Sequence, residues 1–160
     1  MAIEVGSKVP DIAVKVLRDG APADVQTGEV LGTGKVVLFA VPGAFTPGCS
    51  KLHLPGYVKN ADELKAKGVD TIACISVNDA WVMNAWGEDQ GVGDKIVMLA
   101  DGNGEFAAAM GLAFDGGVVG LGTRSQRYAA VIEDGIITEL EVEAGPGVDV
   151  SSCENVLSKV

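Results

Sequence analysis

Short apolar runs separated by glycine-rich turns dominate the chain between residues 34 and 142. The runs at 35–41 and 71–77 are continuous and rich in β-branched residues, which is typical of strands buried on both faces of a sheet. A shorter run at 95–99 predicts a third such strand. The runs at 127–133 and 136–142 flank Asp134-Gly135, and this dipeptide predicts a tight β-hairpin.

Helical patterns lie between these predicted strands. The stretch from Pro47 to Lys67 predicts a helix with Thr46 as its N-cap, and Pro55-Gly56 predicts a kink or break within it. A second helix begins after Asn78 or Asp79 and reaches about residue 86, and shorter helices are expected at 105–110 and 151–157. This order predicts an α/β fold: a central mixed sheet flanked by helices, with parallel central strands and an antiparallel hairpin at the end.

The length of 160 residues predicts a single domain spanning 1–160, and the 48% apolar share supplies a core. A formal net charge of −10 argues against nucleic-acid or membrane partners, because phosphate groups and anionic lipids would repel the chain. The N-terminus shows no secretory pattern, and the apolar run at 36–41 is too short to cross a bilayer. We therefore expect a cytoplasmic protein.

Cysteine and histidine usage narrows the chemistry. The three cysteines, Cys49, Cys74 and Cys153, are widely spaced and odd in number, which argues against a secreted disulfide framework. In a reducing compartment such thiols are either buried or used in redox chemistry. His53 is the one histidine, so a structural zinc site lacks ligands and no metal is expected. A serine hydrolase is disfavoured because no G-x-S-x-G motif is present.

Cys49 has the strongest candidate chemistry in the chain. It follows a predicted buried strand and lies in the first turn of a predicted helix, where unpaired N–H groups and the helix dipole favour the thiolate. The thiolate is the reactive nucleophile. Thr46, three residues earlier, brings a hydroxyl within reach of the sulfur, and Pro42 and Pro47 stiffen the loop. No cation is present in this segment before Cys49.

The pattern Pro42-x-x-x-Thr46-x-x-Cys49 resembles the active-site signature of the peroxiredoxins, within the AhpC/TSA superfamily of the thioredoxin fold. The string from Val41 to Tyr57 is similar to the type II (Prx5-like) branch. The resemblance covers essentially the whole chain and continues through the segments 74–79, 99–102, 120–128 and 133–135. Gly48 is a departure, since members of this branch commonly carry threonine or another side chain there; we expect it to loosen the loop.

This resemblance implies a thioredoxin-like fold with an N-terminal extension and a catalytic arginine at Arg127, directly before Tyr128. It implies a thiol-dependent peroxidase that reduces hydrogen peroxide and alkyl hydroperoxides without metal or other cofactor. Cys49 would become a sulfenic acid, and an external thiol reductant (glutathione, glutaredoxin or thioredoxin) would regenerate it. It also implies a homodimer face around Phe45 and the helix after Asn78. An exposed aromatic set of Phe45, Trp81 and Trp86 would fit such a face, and ordinary core packing of these rings is the alternative.

Several roles stay open at this level. An outside thiol, Cys74 or Cys153 could resolve the oxidised Cys49, although Cys74 falls inside a predicted buried strand. Arg124 either supports the site or faces solvent. His53, four residues after Cys49, either faces the sulfur as a base or is a structural or interface residue.

Two other classes of function are alternatives to a peroxidase. A Cys–His acyl-transfer enzyme would need a residue that orients His53 and would show no dependence on peroxide. A non-enzymatic binding or holdase module would tolerate Cys49→Ser. Neither class explains the Cys49 motif as directly as a peroxidase does.

Overall fold

The computed structural model describes residues 1–160 as a seven-stranded mixed sheet, flanked by helices, with a separate two-stranded ribbon. The strand order in the main sheet is β2-β1-β5-β4-β3-β8-β9. Its strands are β1 (Ala13–Arg18), β2 (Ala21–Gln26), β3 (Lys35–Ala40), β4 (Thr71–Ser76), β5 (Val97–Ala100), β8 (Tyr128–Glu133) and β9 (Ile136–Val142). The ribbon pairs β6 (Ala113–Asp115) with β7 (Thr123–Ser125).

The helices are α1 (Thr27–Val30), α2 (Leu54–Ala66), α3 (Ala80–Asp89), α4 (Glu105–Met110) and α5 (Cys153–Leu157). A π-helical turn, Cys49–His53, leads directly into α2, and a 3₁₀ turn covers Gly117–Val119. Asp79 caps α3 by accepting a hydrogen bond from the Val82 N–H, and Ser152 caps α5 in the same way from Asn155. No helix is long and apolar enough to cross a lipid bilayer.

Parallel pairing joins β3, β4 and β5 at the centre of the sheet, and β8 pairs antiparallel with β3. The turn between β8 and β9 has φ of +48° at Asp134 and +85° at Gly135. Positive φ at both central positions is what a two-residue hairpin turn of type I′ requires, so the predicted hairpin is confirmed.

Alternate residues of β3 enter two separate cores, one on each face of the sheet. Val37 and Phe39 join the core that α2, α3 and α5 cover, and this core contains Cys49. Val36 and Leu38 join the opposite core, which α4 covers through Phe106 and Met110. The strand is therefore buried on both faces, as its continuous apolar run predicts.

The structure decides between alternatives at two places. The helix does not break at Pro55-Gly56, because the wider π-helical turn ends before it and places Pro55 in the first turn of α2, where its missing N–H costs little. Trp86 is not an exposed aromatic residue: it is fully buried and donates its Nε1–H to the Ser50 hydroxyl at 3.0 Å. The sequence pattern does not predict β1 or β2, which form an antiparallel hairpin in the structure.

Candidate active site

The loop after β3 is held in place from the end of the neighbouring strand β4. The Asn78 side-chain oxygen accepts hydrogen bonds from the Ala44 N–H at 3.0 Å and from the Ser76 hydroxyl at 2.6 Å. Phe45 has φ of +64°, a left-handed conformation that bulky residues rarely adopt, and its ring is 52% exposed. The loop is thus fixed in a strained shape that turns Phe45 outward and Thr46 inward.

Arg124 supports the same loop from its other side. Its Nη1 donates to the Pro42 carbonyl at 3.3 Å, and its Nε donates to the Leu121 carbonyl at 2.9 Å. A Cβ at Gly43 would lie 3.0 Å from that Nη1, so glycine leaves the space that the guanidinium occupies. Arg124 therefore contacts loop backbone and does not hydrogen-bond the Cys49 sulfur.

Cys49 is the first residue of the π-helical turn, and it is fully buried. Two polar groups contact its sulfur: the Thr46 hydroxyl oxygen at 3.0 Å and Arg127 Nη2 at 3.3 Å. The structure therefore brings together three of the residues predicted from the sequence, although Arg127 is 78 positions from Cys49 along the chain.

The Thr46 hydroxyl has one proton and two acceptors near it. The Gly43 carbonyl lies 2.6 Å away and can only accept, whereas the Cys49 sulfur can accept as a thiolate or donate as a thiol. With Cys49 protonated, Thr46 donates to Gly43 and accepts the S–H. With the thiolate, the Gly43 carbonyl and the sulfur are both acceptors for the single hydroxyl proton. The chain is helical from Pro47, so Thr46 occupies the predicted N-cap position, and its carbonyl accepts from the Ser50 N–H at 2.9 Å; its hydroxyl contacts Gly43 and Cys49 and caps no backbone N–H.

Arg127 is a buried cation with no carboxylate partner, being only 6% exposed. The ion pairs of the structure are Lys15–Asp24 and Lys159–Glu141, and neither includes Arg127. Its Nη1 donates to His53 Nδ1 at 3.0 Å, its Nη2 to the Cys49 sulfur, and its Nε has no partner. The Cys49 sulfur is therefore one of the two side-chain partners of this buried guanidinium.

Gly48 leaves room for that guanidinium. Its backbone is helical, with φ of −63° and ψ of −38°, so the glycine is not needed for an unusual conformation. A Cβ at this position would lie 3.1 Å from Arg127 Nη2, closer than side-chain carbons normally approach. The glycine therefore leaves the space that the guanidinium occupies, and a side chain here would require Arg127 to shift.

His53 is a neutral residue whose two ring nitrogens are both engaged. Because Arg127 can only donate, Nδ1 accepts from it; Nε2 then carries the proton and donates to the Ser151 carbonyl at 3.0 Å. Burial, and secondly the charge of Arg127, lower the pKa of His53 to about 3. With its lone pair occupied by Arg127, His53 is placed as a structural partner of the arginine rather than as a base facing the sulfur.

Tyr57 binds the same backbone carbonyl as His53. Its hydroxyl donates to the same Ser151 carbonyl at 2.8 Å, and its ring stacks on Phe39 with centroids 3.9 Å apart. Burial raises the pKa of Tyr57 well above its usual value, so the phenol remains a donor. The Ser151 carbonyl therefore accepts two hydrogen bonds from α2 and the turn before it.

A cleft of about 540 Å³ opens beside Arg127 and the loop. Its walls combine site residues with apolar side chains from the ribbon and the segment after β9: Pro42, Thr46, Gly48, Phe114, Val119, Leu121 and Pro146. Another cleft, of about 630 Å³, lies between α3 and β1, but it contains no cysteine, histidine or hydroxyl group. The cleft of about 540 Å³ is lined by Thr46 and Arg127, the two residues that contact the Cys49 sulfur.

The other two cysteines are buried thiols in the same core as Cys49. Cys74 lies on β4 opposite Phe39, and burial raises its pKa well above the usual value. Cys153 begins α5 beside Gly56, and burial raises its pKa to about 12. No disulfide is present, and neither thiol is positioned on the surface.

The sequence patterns do not point to the residues that act through their backbone or that anchor the loop. The helix pattern indicates Asn78 only as a helix cap, although a polar residue at the carboxyl end of a strand next to β3 is a signal for the site. Ser151 contributes a carbonyl oxygen, which any residue type carries, so the sequence held no such signal. Trp86 anchors Ser50, next to Cys49, from inside α3.

Comparisons with known proteins agree with this geometry. Residues 4–157 match the family model described as Redoxin. Peroxiredoxin-2E of the Arabidopsis thaliana chloroplast is 50% identical over 98% of this chain and 68% of that protein. Reduced Prx3 of Vibrio vulnificus, solved in complex with hydrogen peroxide, has a TM-score of 0.93 and 49% identity, covering 98% of both chains. Peroxiredoxin 5 of Alvinella pompejana has a TM-score of 0.86 and 36% identity, covering 98% of this chain and 96% of that one.

These similarities extend over nearly the full chain and include the arrangement of strands and helices around Cys49. They confirm the thioredoxin-like fold, a mixed sheet flanked by helices. They also confirm the expectation of a thiol-dependent peroxidase that acts on a peroxide with a thiol as reductant. The chain belongs to the peroxiredoxins, in their type II (Prx5-like) branch.

Proposed function

We propose that Cys49 is the peroxidatic nucleophile of this enzyme. Its thiolate attacks the distal oxygen of a hydroperoxide, an S–O bond forms as the O–O bond breaks, and the leaving oxygen takes up a proton to depart as water or alcohol. Cys49 is left as a sulfenic acid, the first step of thiol oxidation. The observation that carries this proposal is the pairing of a buried, carboxylate-free arginine and a hydroxyl on one sulfur.

Arg127 and Thr46 have complementary roles in this step. The Arg127 guanidinium donates to the oxygens as negative charge moves from sulfur to the leaving group, and its fixed donor geometry suits two adjacent oxygens. Thr46 holds its proton on Gly43 and can accept a hydrogen bond from the hydroperoxide O–H. Pro42 shapes the loop, and its carbonyl is held by Arg124. Preorganised donors of this kind in a site shielded from water are the main source of rate enhancement in many enzymes.

The cleft supports hydrogen peroxide and alkyl hydroperoxides as substrates. Its volume of about 540 Å³ exceeds what hydrogen peroxide needs, and Phe114, Val119 and Leu121 offer an apolar wall to an alkyl group. The chemistry requires no metal or other bound cofactor, because the electrons come from thiols. The substrate range is therefore set by the cleft walls.

An external thiol, glutathione or a glutaredoxin, is the reductant that we propose for the sulfenic acid. Attack on it requires a thiolate, and burial keeps both Cys74 and Cys153 protonated. Either of them would also need local rearrangement to form a disulfide with Cys49, because both lie inside the core. Thioredoxin is the alternative reductant if such a rearrangement produces an internal disulfide.

We further propose a homodimer and a cytoplasmic location. Phe45, Leu52 and Trp81 are 52%, 63% and 56% exposed, and a monomer would leave these large apolar side chains in water. Phe45 is held outward by a strained backbone, which a covering subunit would offset. The three unpaired thiols fit a reducing compartment, of which the cytoplasm is one. The Arabidopsis relative is a chloroplast protein.

The deciding experiment is peptide mass mapping after one equivalent of hydrogen peroxide, with a sulfenic-acid trap present. An adduct on Cys49 alone supports a one-cysteine cycle with an outside reductant, and Cys49→Ser should abolish peroxide consumption. Cys74→Ser and Cys153→Ser are matched controls that should keep it with a glutaredoxin donor. A Cys49-to-Cys74 or Cys49-to-Cys153 disulfide would refute external resolution, and a Cys49 that stays reduced would refute the peroxidatic role.

A further inference from the structure

Glu143, the residue after β9, holds a loop to which the mechanism above assigns no role. One carboxylate oxygen accepts hydrogen bonds from the Asp149 N–H at 2.7 Å, the Ser151 N–H at 2.8 Å and the Ser151 hydroxyl at 2.6 Å. These bonds close residues 143–151 into a compact loop. They also lower the pKa of Glu143, so the carboxylate is charged at neutral pH.

The loop that Glu143 closes leads directly to the active site. Ser151 is fully buried, and its carbonyl accepts the His53 Nε2–H; His53 in turn accepts from Arg127, which contacts the Cys49 sulfur. Each link is 3.3 Å or shorter. The Glu143 N–H also donates to the Arg127 carbonyl at 2.9 Å. Glu143 and Arg127, the first and last protein residues before the sulfur in this series of contacts, are therefore also joined directly through their backbones.

We propose that Glu143 is a positioning residue for the peroxidatic reaction: by fixing Ser151, it holds His53 and thereby the Arg127 guanidinium against Cys49. This role rests on the proposed function of Cys49. Glu143 accepts three hydrogen bonds from this part of the chain, and the segment that leads from Glu143 to Ser151 contains Gly145, Pro146 and Gly147. The other contacts that hold Ser151 are the Tyr57 hydroxyl on its carbonyl and the Asn155 side chain on the carbonyl of Val150. Without Glu143 the Ser151 N–H and hydroxyl lose their acceptor, and the carbonyl that orients the His53 ring is then held less firmly, by Tyr57 and the start of α5.

Arg127 depends on this orientation more than a paired arginine would. It has no carboxylate to hold it, and its Nε has no partner. His53 Nδ1 is therefore the main protein acceptor that fixes the guanidinium when the sulfur is protonated or oxidised. A small displacement of this donor changes its distance to the reacting oxygens.

The test compares Glu143→Ala and Glu143→Gln with Glu141→Gln, a matched control on the same strand whose carboxylate pairs with Lys159. Two rates are measured: the second-order reaction with hydrogen peroxide, and alkylation of Cys49 by iodoacetamide at pH 7, followed by peptide mass. We expect Glu143→Ala to slow the peroxide reaction about tenfold and to slow alkylation as well. Glu143→Gln keeps an acceptor oxygen and should remain within about threefold of wild type, as should Glu141→Gln.

A double-mutant cycle with His53→Ala separates positioning from a general loss of structure. If Glu143 acts through His53, Glu143→Ala should slow the His53→Ala enzyme little further, so the two effects are not additive. Rates of Glu143→Ala within twofold of wild type, a Glu143→Gln as slow as the alanine variant, or effects that multiply with His53→Ala would each overturn the proposal. The alkylation readout needs no peroxide, and the wild-type peroxide rate tests the Cys49 assignment separately.

Discussion

Arg127→Met is expected to abolish most of the activity without a corresponding loss of stability. The guanidinium is 6% exposed and has no carboxylate partner, so the folded protein carries the desolvation cost of a cation. Methionine has a similar length and no charge, and it can fill the same space. The variant therefore separates what Arg127 contributes to the reaction from what it costs the fold.

The magnitudes follow from the contacts. Removing one charged donor to a transition state slows a reaction about 10²–10³-fold, or about 3–4 kcal/mol. For the fold, relief of desolvation is worth a few kcal/mol, while His53 Nδ1 loses its donor at a cost of about 1–3 kcal/mol. These two effects nearly cancel. We therefore expect the free energy of unfolding to stay within about 1 kcal/mol of wild type.

The assay combines stopped-flow peroxide consumption with urea unfolding at pH 7. Arg127→Lys keeps the charge with one ammonium in place of the forked guanidinium, and it should fall between methionine and wild type in rate. Arg18→Met, at an exposed arginine on β1, is the control and should change neither quantity. A methionine variant within tenfold of the wild-type rate, or one destabilised by more than about 2 kcal/mol, would refute the reasoning.

Three further predictions concern the hydroxyl, the histidine and the exposed aromatic face. Thr46→Val should slow the peroxide reaction about tenfold or more, because it removes one neutral hydrogen-bonding group; Thr138→Val on β9 should not change the rate. His53→Gln keeps an acceptor and a donor, so activity should persist. Because the folded pKa of His53 is about 3 against 6.5 unfolded, wild-type stability falls as pH drops from 6.5 toward 3. The glutamine variant should show a shallower fall in urea titrations, and an unchanged slope would contradict this. Trp81→Glu should dissociate the proposed dimer in sedimentation experiments, and a variant that sediments like wild type would argue against that face.

The parts of the fold that could be predicted from sequence are the buried central strands and the turn between β8 and β9. β3 and β4 form continuous apolar runs because both of their faces enter a core, and the Asp134-Gly135 turn needs residues that tolerate positive φ. β1 and β2 were missed because they lie at or near the sheet edge and are largely exposed, so their side chains show no clear alternation. Pro22 in β2 is tolerated only because that strand has one partner.

The candidate site divides in the same way, into a local part and a distant part. Thr46 and Cys49 are three residues apart in one loop and turn, so their contact could be expected from the chain itself. The contacts of Arg127 with Cys49 and His53 span 78 and 74 residues, and only the family resemblance pointed to that arginine. Glu143 and Ser151 gave no signal, because one is an acidic residue among many and the other acts through its carbonyl.

Strand register explains how these distant residues meet. Ala40, at the end of β3, pairs with Tyr128, at the start of β8. The loop that leads from β3 to Cys49 therefore lies at the same end of the sheet as Arg127, the residue before β8. Tyr128 also pairs with Val142, which places Glu143 beside Arg127. Tyr128 points into the core opposite Cys49, so the alternation of strand residues turns Arg127 toward the Cys49 face. A slip of one residue in the β3–β8 pairing would send Arg127 to the other face of the sheet and leave Cys49 without its cation. The antiparallel pairing at this end of the sheet is therefore as necessary to the site as the motif around Cys49.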